Sequence, residues 1–228
     1  MTHPPPTTPH VAVAIDGPAA SGKSTVARLL AGQLGLVMVN SGAMYRAITW
    51  QCLREHIDPR DTAAVIRMLD RISICCGHDG MISTITIDGI APGDELRAES
   101  VNAHVSVIAA IPEVREKLIA LQRGYLDHAS VVMEGRDIGS VVFPDTPYKI
   151  YIDAAAHVRA ARRMDAGEVD SITQRDAADS KRTTAPLIIA DGATVLDTSD
   201  LSIEGAVTAA MAILRRQGLS LTTCGDGA

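Results

Sequence analysis

The sequence is poor in aromatic residues. Phe, Trp and Tyr make up 3% of its 228 residues, with one Trp, one Phe and four Tyr. That excludes an aromatic base-stacking platform of the kind that holds single-stranded nucleic acid. Ala, Val, Ile and Leu are left to build the core. Positive charge is not in excess either: 21 Lys and Arg stand against 27 Asp and Glu, a net charge of −6. A long polyanion bound over the whole surface is disfavoured, which leaves only a local arginine cluster to serve phosphate. The four cysteines, Cys52, Cys75, Cys76 and Cys224, form no C-x-x-C pair and have no His at zinc-ligand spacing. Reduced thiols of a cytoplasmic protein are expected, not a disulfide framework. No run approaches the ~18 apolar residues of a membrane span. The start, MTHPPPTTPH, lacks a basic stretch followed by an apolar one. It reads as an extended tail over 1–10, not a signal peptide, and 219–228 reads as a second frayed tail.

What remains is 46% hydrophobic, enough for a real core. Val11 to Ile15 is an apolar run suited to a strand buried on both faces. A Gly-rich turn follows, then a helix from Ser24 to Leu34 stopped by Gly35, then a strand from Leu36 to Val39. This βαβ unit implies a parallel sheet. Helices are expected over Ala43 to Leu53 and Thr62 to Leu69. The period then changes. Ile72 to Cys76, Met81 to Ile87 and Ile90-Ala91 suggest short strands, with turns at Gly77 to Gly80 and at Asp88-Gly89, the latter a hairpin signal. Helices follow over Ser100 to Ala110 and from Pro112. Val131 to Met133, Lys149 to Ile152 and Thr194 to Leu196 are further strands. Asp153 is the expected N-cap of an Ala-rich helix to Met164. Ile203, Val207, Met211 and Leu214 mark a closing helix. The plan is one α/β domain over 11–218, with a core of 11–59, 113–158 and 189–218. Two excursions leave it, an antiparallel insertion at 60–112 and a cationic segment at 159–188.

Gly17, Pro18, Ala19, Ala20, Ser21, Gly22, Lys23 and Ser24 fit G-x-x-x-x-G-K-[ST], between a strand and a helix. The glycines let successive N–H groups turn inward onto phosphate oxygens, and the helix N-terminus adds positive potential. Lys23, expected in a solvent-facing loop, supplies a point charge for the β- and γ-phosphates. Ser24 offers a hydroxyl to Mg²⁺. With Thr25 this segment is the expected ATP site. The chain has only two Asn, Asn40 and Asn102, and neither precedes Lys, so the guanine reader N-K-x-D is missing. Small-molecule kinases remain. They need a second pocket and a cationic cover that excludes water. Two clusters follow strands, where ligands bind in open α/β sheets: Asn40 to Arg46, and Glu134-Gly-Arg136-Asp137-Ile-Gly139. A third holds Arg159, Arg162, Arg163, Arg175, Lys181 and Arg182.

The phosphate loop, Ser41-Gly-Ala-Met-Tyr-Arg46, Glu134 to Gly139 with Val141 to Asp145, and Arg175 to Leu187 together resemble bacterial cytidylate kinase, in order, from Val11 to Leu214. The resemblance implies a P-loop kinase with a monophosphate-binding insertion and a short Arg-rich lid. It would use ATP and Mg²⁺ to phosphorylate CMP or dCMP. It implies that Ser41, Arg46, Arg136 and Asp137 hold the CMP phosphate and sugar side. Ser106, Arg115 and Arg182 would read cytosine, Arg175 and Asp179 would meet the ribose, and Arg162 would face the ATP phosphates. A monomer is expected, with no nucleic acid polymer and no membrane as partner. Asn40 stands where the family usually has Asp; it either supports the water shell of the metal or only caps the following turn. Another P-loop kinase with a different acceptor, and a non-catalytic nucleotide sensor, are the rival readings.

Overall fold

The computed structural model of the chain describes residues 10–165 and 187–220. Strand β1, Ala12–Asp16, is buried along its whole length, as its unbroken apolar run requires. It is followed by α1 (Lys23–Leu34), β2 (Val37–Asn40), α2 (Ser41–Arg54), α3 (Thr62–Arg71), β3 (Ile74–Asp79) and β4 (Ile82–Ile87). Then come α4 (Glu99–Ile108), α5 (Pro112–Arg123), β5 (Val131–Glu134), β6 (Lys149–Asp153), α6 (Ala156–Asp165), β7 (Thr194–Asp197) and α7 (Ile203–Arg216). The described strands form one sheet in the order β3-β4-β2-β5-β1-β6-β7. Every neighbouring pair is parallel except β3 and β4.

The alternation of β1 divides the core. Val13 and Ile15 pack with Val26 and Leu30 of α1 and Val207 and Leu214 of α7. Ala12 and Ala14 face the other way, onto Met133, Tyr125 and Phe143. A third cluster joins Ile48, Met68, Ile108 and Leu118 of α2 to α5 with Ile87 of the hairpin. Among the described residues no helix is long and apolar enough to cross a membrane.

Four local expectations need correction. Gly77 is inside β3, paired with Thr84, and the strand runs on to Asp79 before Gly80 turns it. Ile90 makes only an isolated bridge to Ile87, so there is no third strand there. The Asp88-Gly89 turn is formed as expected, with φ of 50° and 78°. The hairpin joins the main sheet through Met38 opposite Ile82. Asp153 does not cap α6. It ends β6, its side chain accepts from the Ala154 N–H at 2.8 Å, and the helix starts only at Ala156. The helix expected from Ala43 begins instead at Ser41, because Asn40 Oδ1 accepts the Ala43 N–H at 3.0 Å and caps it.

Candidate active site

The carboxyl ends of β2, β5, β1 and β6 lie abreast. Register sets Asn40 opposite Glu134, and Glu134 opposite Ile15, one step before Asp16. Chain order reverses on the two sides of β1, the place where α/β sheets open a crevice. A cleft of about 920 Å³ opens there.

The phosphate loop closes one end. A Cβ on Gly17 would stand 2.0 Å from the Ile152 carbonyl oxygen, so only glycine lets the loop turn this close to β6. Ala20 is held at φ 58°, a left-handed strain of roughly 1 kcal/mol for a residue with a side chain. Ala19, Ala20, Ser21, Gly22, Lys23, Ser24 and Thr25 line the cleft. Gly17 and Pro18 stand behind that lining. The solvent-facing Lys23 of the sequence reading is corrected: it is the first residue of α1, 4% exposed, and its Nζ folds back to donate to the Pro18 carbonyl.

Facing the loop are Ser41, Arg46, Ser106, Arg115, Arg136 and Asp137, all lining the same cleft. Ser41 Oγ donates to the Glu134 carbonyl at 2.8 Å. A Cβ on Gly135 would lie 2.6 Å from that same Oγ and 2.7 Å from Ile138 Cδ1, so a larger residue after β5 would have to displace both side chains. Asn102, Val105 and Ser106 of α4 and its C-cap Ala109 reach the cleft at helical spacing, from one face. Arg46 Nε donates to Asn102 Oδ1 at 3.4 Å. Arg115 is 1% exposed and forms a buried ion pair with Asp137; its Nη1 donates to the Ala109 carbonyl at 3.2 Å, and its guanidinium lies 5.5 Å from the Tyr45 ring centre.

From the side of the loop, α6 contributes three arginines. Arg162 and the buried Arg163 line the cleft, Arg162 reaching Thr198, while Arg159 Nη1 donates to the Ala19 carbonyl at 3.2 Å. Arg175, Asp179, Lys181 and Arg182 lie outside the described residues.

Two carboxylates at the strand ends were given no role by sequence reasoning. Glu134 Oε1 accepts from Ser24 Oγ at 2.9 Å. Asp16, 4% exposed, accepts from the N–H groups of Ile138 at 2.8 Å and Gly139 at 2.7 Å, which open a π-helical turn just after Asp137. Burial pushes the Asp16 carboxyl up to about 6; the two N–H groups and Lys23 work against that, and Asp137 adds to it. An acid closing an apolar run, as in AVAID and VVME, is the available signal for both.

Ser24 and Glu134 supply hard oxygen donors at the mouth of the loop, the set that Mg²⁺ accepts beside phosphate oxygens and water. Among the described residues no group of three or more His, Cys, Asp or Glu is placed to hold a metal alone. No described His or Cys lines the cleft. Burial pushes the Cys52 thiol up to about 11, which suits an inert thiol.

The sequence model of the family described as cytidylate kinase matches residues 13–216. The chain belongs to the cytidylate kinase family. It is 40% identical to a cytidylate kinase of Streptomyces avermitilis over 92% of this chain and 95% of that one. To the cytidylate kinase of Corynebacterium diphtheriae it is 41% identical, over 90% and 94%. To that of Clostridium botulinum it is 36% identical, over 91% and 99%. The cytidylate kinase match runs from the second residue of β1 to the last of α7, so it takes in the whole sheet and every wall of the cleft.

Proposed function

We infer that this protein is a cytidylate kinase that transfers the γ-phosphoryl group of ATP to CMP or dCMP, giving ADP and CDP or dCDP. One observation carries the reading: in a chain of this family, the phosphate loop, the Ser41 to Arg46 turn, Arg136, Asp137 and the α4–α5 residues open onto a single cleft.

The transfer is in line, and the chain contributes position and charge, with no covalent intermediate. The loop N–H groups and Lys23 take the β- and γ-phosphates of ATP, on the segment Gly17 to Thr25. Ser24 and Glu134 would hold Mg²⁺, which would supply charge neutralisation for the ATP phosphates. Arg162 lies toward the ATP phosphates. Ser41, Arg46, Arg136 and Asp137 take the CMP phosphate and sugar side, and Ser106 and Arg115 the cytosine edge. The 60–112 excursion serves as the monophosphate-binding insertion. The 159–188 excursion serves as the lid, through which Arg182 meets the base and Arg175 and Asp179 the ribose. The reading carries with it a monomeric enzyme of the cytoplasm, with neither nucleic acid polymer nor membrane as partner.

The test is ADP release from ATP against a panel of CMP, dCMP, UMP and AMP. Turnover with CMP and dCMP, and a lower kcat/KM for UMP, is expected. Cytosine presents an amino donor where uracil presents an acceptor, and a buried site made for one leaves groups unpaired with the other. Equal kcat/KM for CMP and UMP would reject the assignment. Nucleotide binding without ADP release would favour a sensor.

A further inference from the structure

Arg162 is held twice by one residue. Its Nη2 donates to the Thr198 carbonyl at 2.8 Å, and its Nη1 to the Thr198 hydroxyl at 3.2 Å. A Cβ on Gly22 would stand 3.7 Å from that Nη1, so this end of the guanidinium lies over the phosphate loop. Thr198 follows β7 and is 3% exposed. Its N–H donates to the Asp153 carbonyl at 2.9 Å, which prolongs the β6–β7 ladder by one step. Its hydroxyl lies 3.0 Å from two carbonyl oxygens, those of Ser21 and Asp153.

A hydroxyl has one proton to give. The Asp153 carbonyl already receives the Thr198 N–H, so the better use of that proton is the Ser21 carbonyl of the loop. The hydroxyl then has its lone pairs free for Arg162. One buried side chain thus joins the phosphate loop to the arginine beside it. An arginine loses much rotamer freedom when it is fixed, and a donor already in place costs no reorganisation when charge develops on a phosphoryl group.

We propose that Thr198 is a positioning residue for phosphoryl transfer: its hydroxyl sets the Arg162 guanidinium against the phosphate loop. This rests on the phosphate role inferred above for Arg162. Valine copies the shape of threonine but can neither donate nor accept. Serine keeps the hydroxyl.

The experiment is a double-mutant cycle on the full chain, with kcat and the KM for ATP and CMP measured separately. Thr198→Val lowers kcat/KM for ATP about ten-fold, the size of one charge-assisted hydrogen bond. The KM for CMP changes less than about two-fold, and Thr198→Ser stays near wild type. In an Arg162→Ala background Thr198→Val costs nothing further, because the group it acts through is gone. Wild-type kinetics for Thr198→Val beside an impaired Arg162→Ala overturns this proposal alone. So does a multiplicative loss in the double variant, which assigns Thr198 a role in the fold. Wild-type kinetics for Arg162→Ala overturns the phosphate role of Arg162 and this proposal with it. Should the valine variant not fold, Thr198→Cys, a weak donor of similar size, runs the same cycle, and the same results support or overturn the proposal.

Discussion

Asp16 should make the fold less stable as pH rises, and Asp16→Asn should remove that dependence. The carboxyl is 4% exposed at the end of β1, and its ionisation is raised from 3.8 to about 6, chiefly by burial. In the unfolded chain it ionises near the lower value. Between the two, the native state binds the proton and the unfolded state does not. Stability from this group is therefore full below pH 3.8 and is lost as pH rises through about 6. At roughly 1.4 kcal/mol per pH unit, the full loss is about 3 kcal/mol, of which about 1.4 kcal/mol falls between pH ~5 and ~7.5. An amide at position 16 does not titrate. It accepts one of the two N–H groups and opposes the other with its own NH₂, so its absolute offset is smaller, by about the worth of one lost hydrogen bond. The slope is the cleaner readout. Urea unfolding of both proteins across that pH range should show the stability of Asp16→Asn gaining on wild type by about 1.4 kcal/mol, the other carboxylates cancelling in the difference. A flat difference would show that Asp16 ionises at or below its ordinary range, the two N–H groups and Lys23 then matching or outweighing its burial. The same variant should lower kcat, because the N–H groups of Ile138 and Gly139 that Asp16 holds set the turn after Asp137.

Other consequences follow from the same geometry. Lys23→Ala should cut kcat by at least ~10²-fold, through loss of a charge on the transferring phosphoryl group; a folded variant with near-normal turnover would refute it, and circular dichroism must accompany the assay because Lys23 is buried. Asp137→Ala leaves the buried Arg115 guanidinium unpaired and should cost about 3–5 kcal/mol in urea unfolding, and an unchanged midpoint would show the pair to be unimportant for stability. Asn40→Asp keeps the cap on the Ala43 N–H and adds charge at a helix N-terminus, so a gain of about 0.5 kcal/mol is expected. Its magnesium titration should superimpose on wild type, and a lower magnesium requirement would instead give residue 40 a place in the metal's water shell.

Legibility followed sequence separation. The phosphate loop was readable because its glycines and the helix end that follows lie within a few residues, even though the Ile152 carbonyl that bars a Cβ at Gly17 comes from far along the chain. The Asp88-Gly89 turn was readable for the same reason, while the limit of β3 was not, since the ladder to β4 decides it. Ser41, Arg46, Arg136 and Asp137 were named through ordered motifs and Ser106 and Arg115 only through the family resemblance, yet nothing local announced that Arg115 and Asp137 pair with each other. The residues passed over share a feature: their partners come from far along the chain. Asp16 meets the Ile138 N–H across 122 positions, Ser24 meets Glu134 across 110, and Thr198 meets Ser21 across 177. A carboxylate after a strand, or a threonine after another, is ordinary until the register of a parallel sheet sets the strand ends side by side. Register is what sets the acids closing AVAID and VVME, two ordinary apolar runs, on adjoining strand ends, where Glu134 lines the cleft and the buried Asp16 holds the turn after Asp137. It is also why a one-residue slip of β5 against β1 would be costly for catalysis before it cost much burial. Both strands are apolar on both faces, so the slip would exchange the faces of Val132 and Met133 while keeping apolar area buried, but Glu134 would leave Ser24 and the Ile138 N–H would leave Asp16.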